Sequence, residues 1–101
     1  MRDRVSRAFR NGLAGFAEGH AALADQLRRA ALSVPLNIAE AAGRVSAADG
    51  ARHYAIARGS AMEGAAIMDA LLVLGAIAAR EHQRAMDLIA REVAMLTKLC
   101  R

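Results

Sequence analysis

Tryptophan is absent from the 101 residues, and Phe9, Phe16 and Tyr54 are the only aromatic side chains. Proteins that hold single strands without sequence preference offer several aromatic faces for bases to stack on, so this sequence does not favour base stacking. Val, Ile, Thr, Tyr, Phe and Trp together number 14. That is too few β-formers for a sheet, and a β-sandwich or a βαβ protein is excluded. Cysteine occurs once, at Cys100, so no intrachain disulfide can form and a reducing, cytoplasmic setting is expected. Long apolar runs are also missing. The most apolar stretch, residues 65–79, is interrupted by Asp69 and is shorter than the roughly 20 residues that cross a bilayer. Residues 1–10 lack the apolar core of an export signal. A soluble protein with no membrane partner is the expectation.

What the chain has in quantity is alanine, 26 residues against 11 Leu, 5 Ile, 5 Val and 5 Met. Alanine is the strongest helix former, so the composition predicts an all-α protein whose core is thin. The length fits a single domain over residues 1–101. A thin core leaves apolar side chains such as Leu32, Leu36, Leu72 and Val73 without inner-face partners. Self-association follows from that surplus. The formal net charge is +4, and 13 of the 14 basic residues are Arg, which favours anionic partners.

Helical periodicity runs from end to end. Val5, Phe9, Leu13 and Phe16 recur at steps of four, four and three, within about 80° on a helical wheel, and predict a first helix over Arg2–Glu18. Leu23, Leu27, Ala30, Ala31, Val34 and Ile38 predict a second, ending near Ala42. Pro35 inside it removes the amide bond to the Ala31 carbonyl and predicts a kink. Gly43 supplies a stop, and Ser46 followed by Asp49 resembles an N-cap with an acid in the first turn of a third helix. That helix is expected to bury Ile56, Ala57, Ser60, Ile67, Leu71 and Leu74, and to end at Gly75. The fourth, from about Ala79 to Leu99, carries one stripe at Met86, Ile89, Val93, Leu96 and Cys100 and a second at Leu88, Met95 and Leu99. Two stripes imply two packing partners. Short connections predict an up-down-up-down four-helix bundle with a Pro-kinked second helix.

Folding the second and third helices together about residue 45 sets Ala30 and Ala31 opposite Gly59 and Ser60, a close crossing of small residues. The same register brings Glu63 near Arg28 and Arg29 as a structural ion-pair clamp. Enzymatic signatures are lacking. Glu18-Gly19-His20 and Glu81-His82 do not have the Glu-x-x-His spacing of di-iron bundles, and Asp49 with His53 offers two ligands alone, a weak metal site. Cys100 has no positioned base, and no phosphate-binding glycine loop is present. The sequence therefore predicts no enzyme, no cofactor and no metal.

The run Gln26-Leu27-Arg28-Arg29-Ala30-Ala31-Leu32-Ser33-Val34-Pro35-Leu36-Asn37-Ile38-Ala39-Glu40, followed by Gly43-Arg44 and Ser46, resembles the signature of a four-helix-bundle family. Its members are known from intervening sequences in bacterial 23S ribosomal RNA genes. Tyr54-Ala55-Ile56-Ala57-Arg58-Gly59-Ser60 with Glu63 is similar to its second block, and Leu74-Gly75 to its last turn. The resemblance implies a ring-like homo-oligomer, a pentamer, with a basic surface suited to nucleic acid. The accessory protein of diversity-generating retroelements shares this fold and partners a reverse transcriptase.

Charge position narrows the expectation further. In the alternating bundle Arg2, Arg4, Arg7, Arg44, Arg52, Lys98 and Arg101 gather at the end that holds the termini, with Asp3, Glu40 and Asp49 nearby. At the opposite end Glu18, Asp25, Asp69 and Glu81 stand beside Arg28, Arg29, Arg80 and Arg84. A basic end suits phosphate contacts that ignore base sequence, and structured RNA or duplex is the expected ligand. A protein-binding scaffold and a membrane-surface helix are the competing readings.

Overall fold

The computed structural model describes residues 20–100. Among them the chain is all helical: α1 spans Ala21–Ala42, α2 Ala47–Val73 and α3 Ala79–Leu99, matching the second, third and fourth predicted helices. The expected four are therefore three in the described part. The first predicted helix, Arg2–Glu18, lies outside the described residues, and with it Arg2, Arg4, Arg7 and Glu18; Arg101 lies outside them as well.

Each boundary has a local cause. Ser46, extended at φ −85° and ψ 132°, accepts a hydrogen bond on its side chain from the Asp49 amide at 3.3 Å, which caps α2 as its sequence predicts. The far end of α2 closes with Gly75 at φ 73°. The Ala76 amide donates to the Leu71 carbonyl at 2.9 Å and the Gly75 amide to the Leu72 carbonyl at 3.0 Å, the paired bonds of a glycine-terminated helix. Ala78 has no side-chain oxygen to cap α3, yet the Glu81 carboxylate reaches back to accept from the Ala78 amide at 3.0 Å. Gly43 ends α1 at φ −86°, a conformation open to any residue. Helix α1 runs unbroken through Pro35.

The helices alternate in direction. Ser33 meets Ser60 and Asn37 meets His53 across α1 and α2; Asp69 meets His82 and Arg58 meets Thr97 across α2 and α3. Both outer helices pack on α2. The core forms two clusters. Ala24, Ile67 and Leu71 close the Gly75 end with Leu23, Leu27, Met68 and Ile77 around them. Val34, Ala57, Ala61 and Leu96 form the other, flanked by Ile38, Tyr54, Ile89 and Val93.

The pivot about residue 45 holds for Asn37 and His53, but the expected crossing of small residues does not form. Ser60 faces Ser33 instead of Ala30 and Ala31, and Gly59 is exposed, with nothing within 4 Å of where a Cβ would stand. The reason is angular. Gly59 is two residues from Ala57 and from Ala61, both buried, and two steps of about 100° put it on the opposite face of α2. Ile56 and Leu74, expected inside, are also exposed. In α3 the first predicted stripe packs inward through Ile89, Val93 and Leu96, while Leu88, Met95 and Leu99 of the second stripe are exposed among the described residues.

Candidate nucleic-acid interface

Antiparallel packing brings the C-terminus of α1, the N-terminus of α2 and the C-terminus of α3 to one end, and with them Arg44, Arg52 and Lys98, all exposed. Arg44 is partly neutralised: its guanidinium donates to Glu40 at 2.8 Å. Arg44, Glu40, Leu36, Ala39 and Gly43 line a shallow open groove on the last turns of α1. With Glu40 and Asp49 nearby, the described part of this end carries little excess positive charge. The rest of the expected patch, Arg2, Arg4, Arg7 and Arg101, lies outside the described residues.

A second basic feature was not expected. Arg80, Arg84, Arg91 and Lys98 follow one another along α3 at steps of four, seven and seven, which keeps them within about 40° on the helical wheel. All four are exposed, and none is ion-paired among the described residues. Asp87, the acid inside this run, accepts from the Gln83 amide at 2.9 Å. The ridge is roughly 27 Å long at 1.5 Å per residue. Dividing the basic residues between the two ends of the bundle hid it, because Arg80 and Arg84 were grouped with the balanced end; the signal lay in the wheel angle.

The residues singled out by motif serve the fold locally. Arg28 donates to Asp25 at 2.6 Å, and this hydrogen bond, with the guanidinium charge, holds the Asp25 carboxyl below its ordinary value. Glu63 is exposed and makes no ion pair among the described residues, so the clamp to Arg28 and Arg29 is not formed. Between α1 and α2 runs a ladder of polar groups. The Ser33 and Ser60 hydroxyl oxygens lie 2.7 Å apart, the Asn37 amide donates to the Ser33 carbonyl at 2.9 Å, and the Asn37 carbonyl oxygen lies 3.2 Å from His53 Nδ1. His53 Nε2 is buried with no hydrogen-bond partner among the described residues. The Asn37 contact directs the imidazole to α1 instead of to Asp49. Among the described residues no group of three or more His, Cys, Asp or Glu is placed to hold a metal ion, and no helix is long and apolar enough to cross a membrane.

Residues 13–98 match the model of a family described as 23S rRNA-intervening sequence protein. No curated protein and no solved structure matches the chain.

Proposed function

This chain belongs to the 23S rRNA-intervening sequence protein family, and we propose that it is a non-enzymatic, homo-oligomeric accessory protein that binds structured RNA or duplex through exposed arginines. The observation that carries this reading is the ridge of Arg80, Arg84, Arg91 and Lys98, exposed along one side of α3 and free of ion pairs among the described residues. Charges left in water and aligned along a helix suit a polyanion, whose condensed counterions are released when phosphates are neutralised. Arg44 and Arg52 extend the basic surface at the end where Lys98 stands. The contacts are to phosphate and not to bases, since side chains able to stack are scarce.

An electrophoretic shift with structured RNA across a salt series tests it. Affinity should fall steeply with salt, by roughly 0.9 in the logarithm per phosphate on duplex. Replacing Arg84, Arg91 and Lys98 with Gln should flatten that slope, whereas Arg28→Gln with Arg29→Gln should change it little. Absence of binding at low salt would put the scaffold reading first, with a reverse transcriptase or another protein as partner. That reading is favoured by one observation: Leu32 and Leu36 are 61% and 63% exposed on α1.

A further inference from the structure

Arg58 differs from the other basic residues in how it is held. It is half-buried where α2 packs on α3, and its Nε donates to the Thr97 hydroxyl oxygen at 2.8 Å. That hydroxyl is itself oriented, because it donates its proton to the Val93 carbonyl at 2.7 Å and so turns its lone pairs towards the guanidinium. Arg28 and Arg44, by contrast, are tied to carboxylates. Arg58 makes no ion pair among the described residues, and its two Nη groups have no partner among them. A guanidinium is a planar fork, so anchoring Nε fixes the direction in which the remaining N–H groups point. Its charge is whole and partly withdrawn from water, which strengthens a hydrogen bond to an anion beyond that of a fully exposed arginine.

The surface beside this contact fits a ligand with more than one charge. Thr97 stands on the flank of α3 next to the basic ridge. Ala90 and Ala94 lie within about 60° of Thr97 on the helical wheel, and Ala94 lies within about 60° of both Arg91 and Lys98. Both alanines are exposed. A strip floored by methyl groups therefore runs along α3, bordered on one side by Arg58 and on the other by Arg91 and Lys98, and no long side chain of its own holds a ligand off the helix. Asp87, the acid at the start of the strip, accepts from the Gln83 amide. A row of anions matches cations placed on both sides of such a floor.

We propose that Arg58 is a fixed receptor for a phosphate group, positioned by Thr97 and distinct in action from the untethered side chains of the ridge. The inference rests on the proposed function for the source of that phosphate, a backbone phosphodiester of duplex RNA laid over Ala90 and Ala94. Arg58 then contributes direction as well as charge. Ridge residues in water meet a polyanion at any register, whereas N–H groups fixed at the α2–α3 contact hold one phosphate in place. Thr97 is a positioning residue that touches no ligand.

A salt series on the full chain separates positioning from charge. Thr97→Val removes the acceptor and leaves every charge present, so affinity for an RNA duplex should fall several-fold while the salt slope stays as in wild type; Thr97→Ser, which returns the hydroxyl, should restore the affinity. Arg58→Gln should weaken binding roughly tenfold, within the worth of a hydrogen bond to a charged group, and should lower the slope by roughly 0.9, the value of one phosphate. Arg58→Lys should keep the slope and lose affinity. The Arg58 Nε–H resonance, assigned by its loss in Arg58→Gln, gives a second measurement on wild type and should shift when the duplex is added. Undiminished affinity in Thr97→Val and Arg58→Gln with an unmoved resonance would overturn the site and leave the nucleic-acid reading standing. If no duplex binds at low salt, that reading fails by itself and inorganic pyrophosphate decides the site: a shift of the Arg58 resonance that Thr97→Val abolishes supports the receptor, and no shift overturns it.

Discussion

The hydroxyl oxygens of Ser33 and Ser60 lie 2.7 Å apart across the α1–α2 contact, where Ser60 was expected to pack with Gly59 against Ala30 and Ala31. Hydrogen bonds fix a geometry that apolar contact alone leaves free to slide. Removing one partner strands the other, while removing both can be nearly neutral. Ser33→Ala or Ser60→Ala alone is expected to cost about 0.5–1.5 kcal/mol, and the double variant less than the sum. Urea denaturation of the full cycle measures the difference; additive losses would mean that the hydroxyls do not act as a pair.

Asn37 stands next in the same ladder. Its carbonyl oxygen is the partner of His53 Nδ1, and Nε2 of that ring already has none. Asn37→Leu would leave both ring nitrogens unsatisfied, at a cost of about 1–3 kcal/mol for the newly stranded group. Asn37→Asp, which keeps an acceptor in place, should lose less in the same denaturation series.

Three glycines give opposite expectations from similar surroundings. At Gly64 and at Gly75 an added Cβ meets nothing within 4 Å, but Gly75 sits at φ 73°. Gly64→Ala should therefore stabilise by about 0.5–1 kcal/mol through helix propensity, and Gly75→Ala should cost about 1–2 kcal/mol through left-handed strain. Gly50→Ala should lose most of the propensity gain, because its Cβ would stand 3.3 Å from the Ala41 carbonyl oxygen. Thermal melts rank the three; an order other than Gly64, Gly50, Gly75 would contradict this account.

Among the described residues Leu96 and Leu71 are the fully buried large side chains, one in each core cluster. Truncation to alanine should cost about 2–5 kcal/mol at either site. Leu88→Ala, on the exposed stripe of the same helix as Leu96, should leave the three-helix packing intact, as a melt of each variant would register.

The pH dependence of Asp25 has a defined sign. The Arg28 hydrogen bond depresses its folded-state value, so its contribution to stability is complete above the unfolded value and is lost as pH falls through the folded one. The pair is exposed and screened, which keeps that contribution small. Carboxyl-carbon NMR should find Asp25 titrating below ordinary aspartates, with Arg28→Gln returning it to their range. No change in that variant would remove Arg28 as the cause.

How far the sequence could be read depended on range. Boundaries set by neighbours a few residues away were legible: the Ser46 cap, the Gly75 stop and the inward stripe of α3 all follow from local chemistry. The register of α1 on α2 was legible near the turn, where Asn37 meets His53 as a pivot at residue 45 requires, but not further along, where Ser60 meets Ser33 and the pairing has drifted. Gly59 was misplaced for a related reason, since small residues mark close approach without saying by which chain. The α3 ridge was readable from the wheel angles of Arg84, Arg91 and Lys98, but only once position around the helix replaced position along the bundle.

Between the two core clusters, α1 supplies Ala30 and α2 supplies Gly64, both buried and neither with a side chain longer than a methyl group. The bundle is thus anchored at two places with a slender waist between them. Hydrogen exchange in such a molecule is expected to keep two clocks, one for amides around Leu71 and the Gly75 turn and another for those around Leu96. The end that carries Arg44 and Lys98 is then expected to open without unlocking the far one, so that a ligand held there would slow its own clock alone.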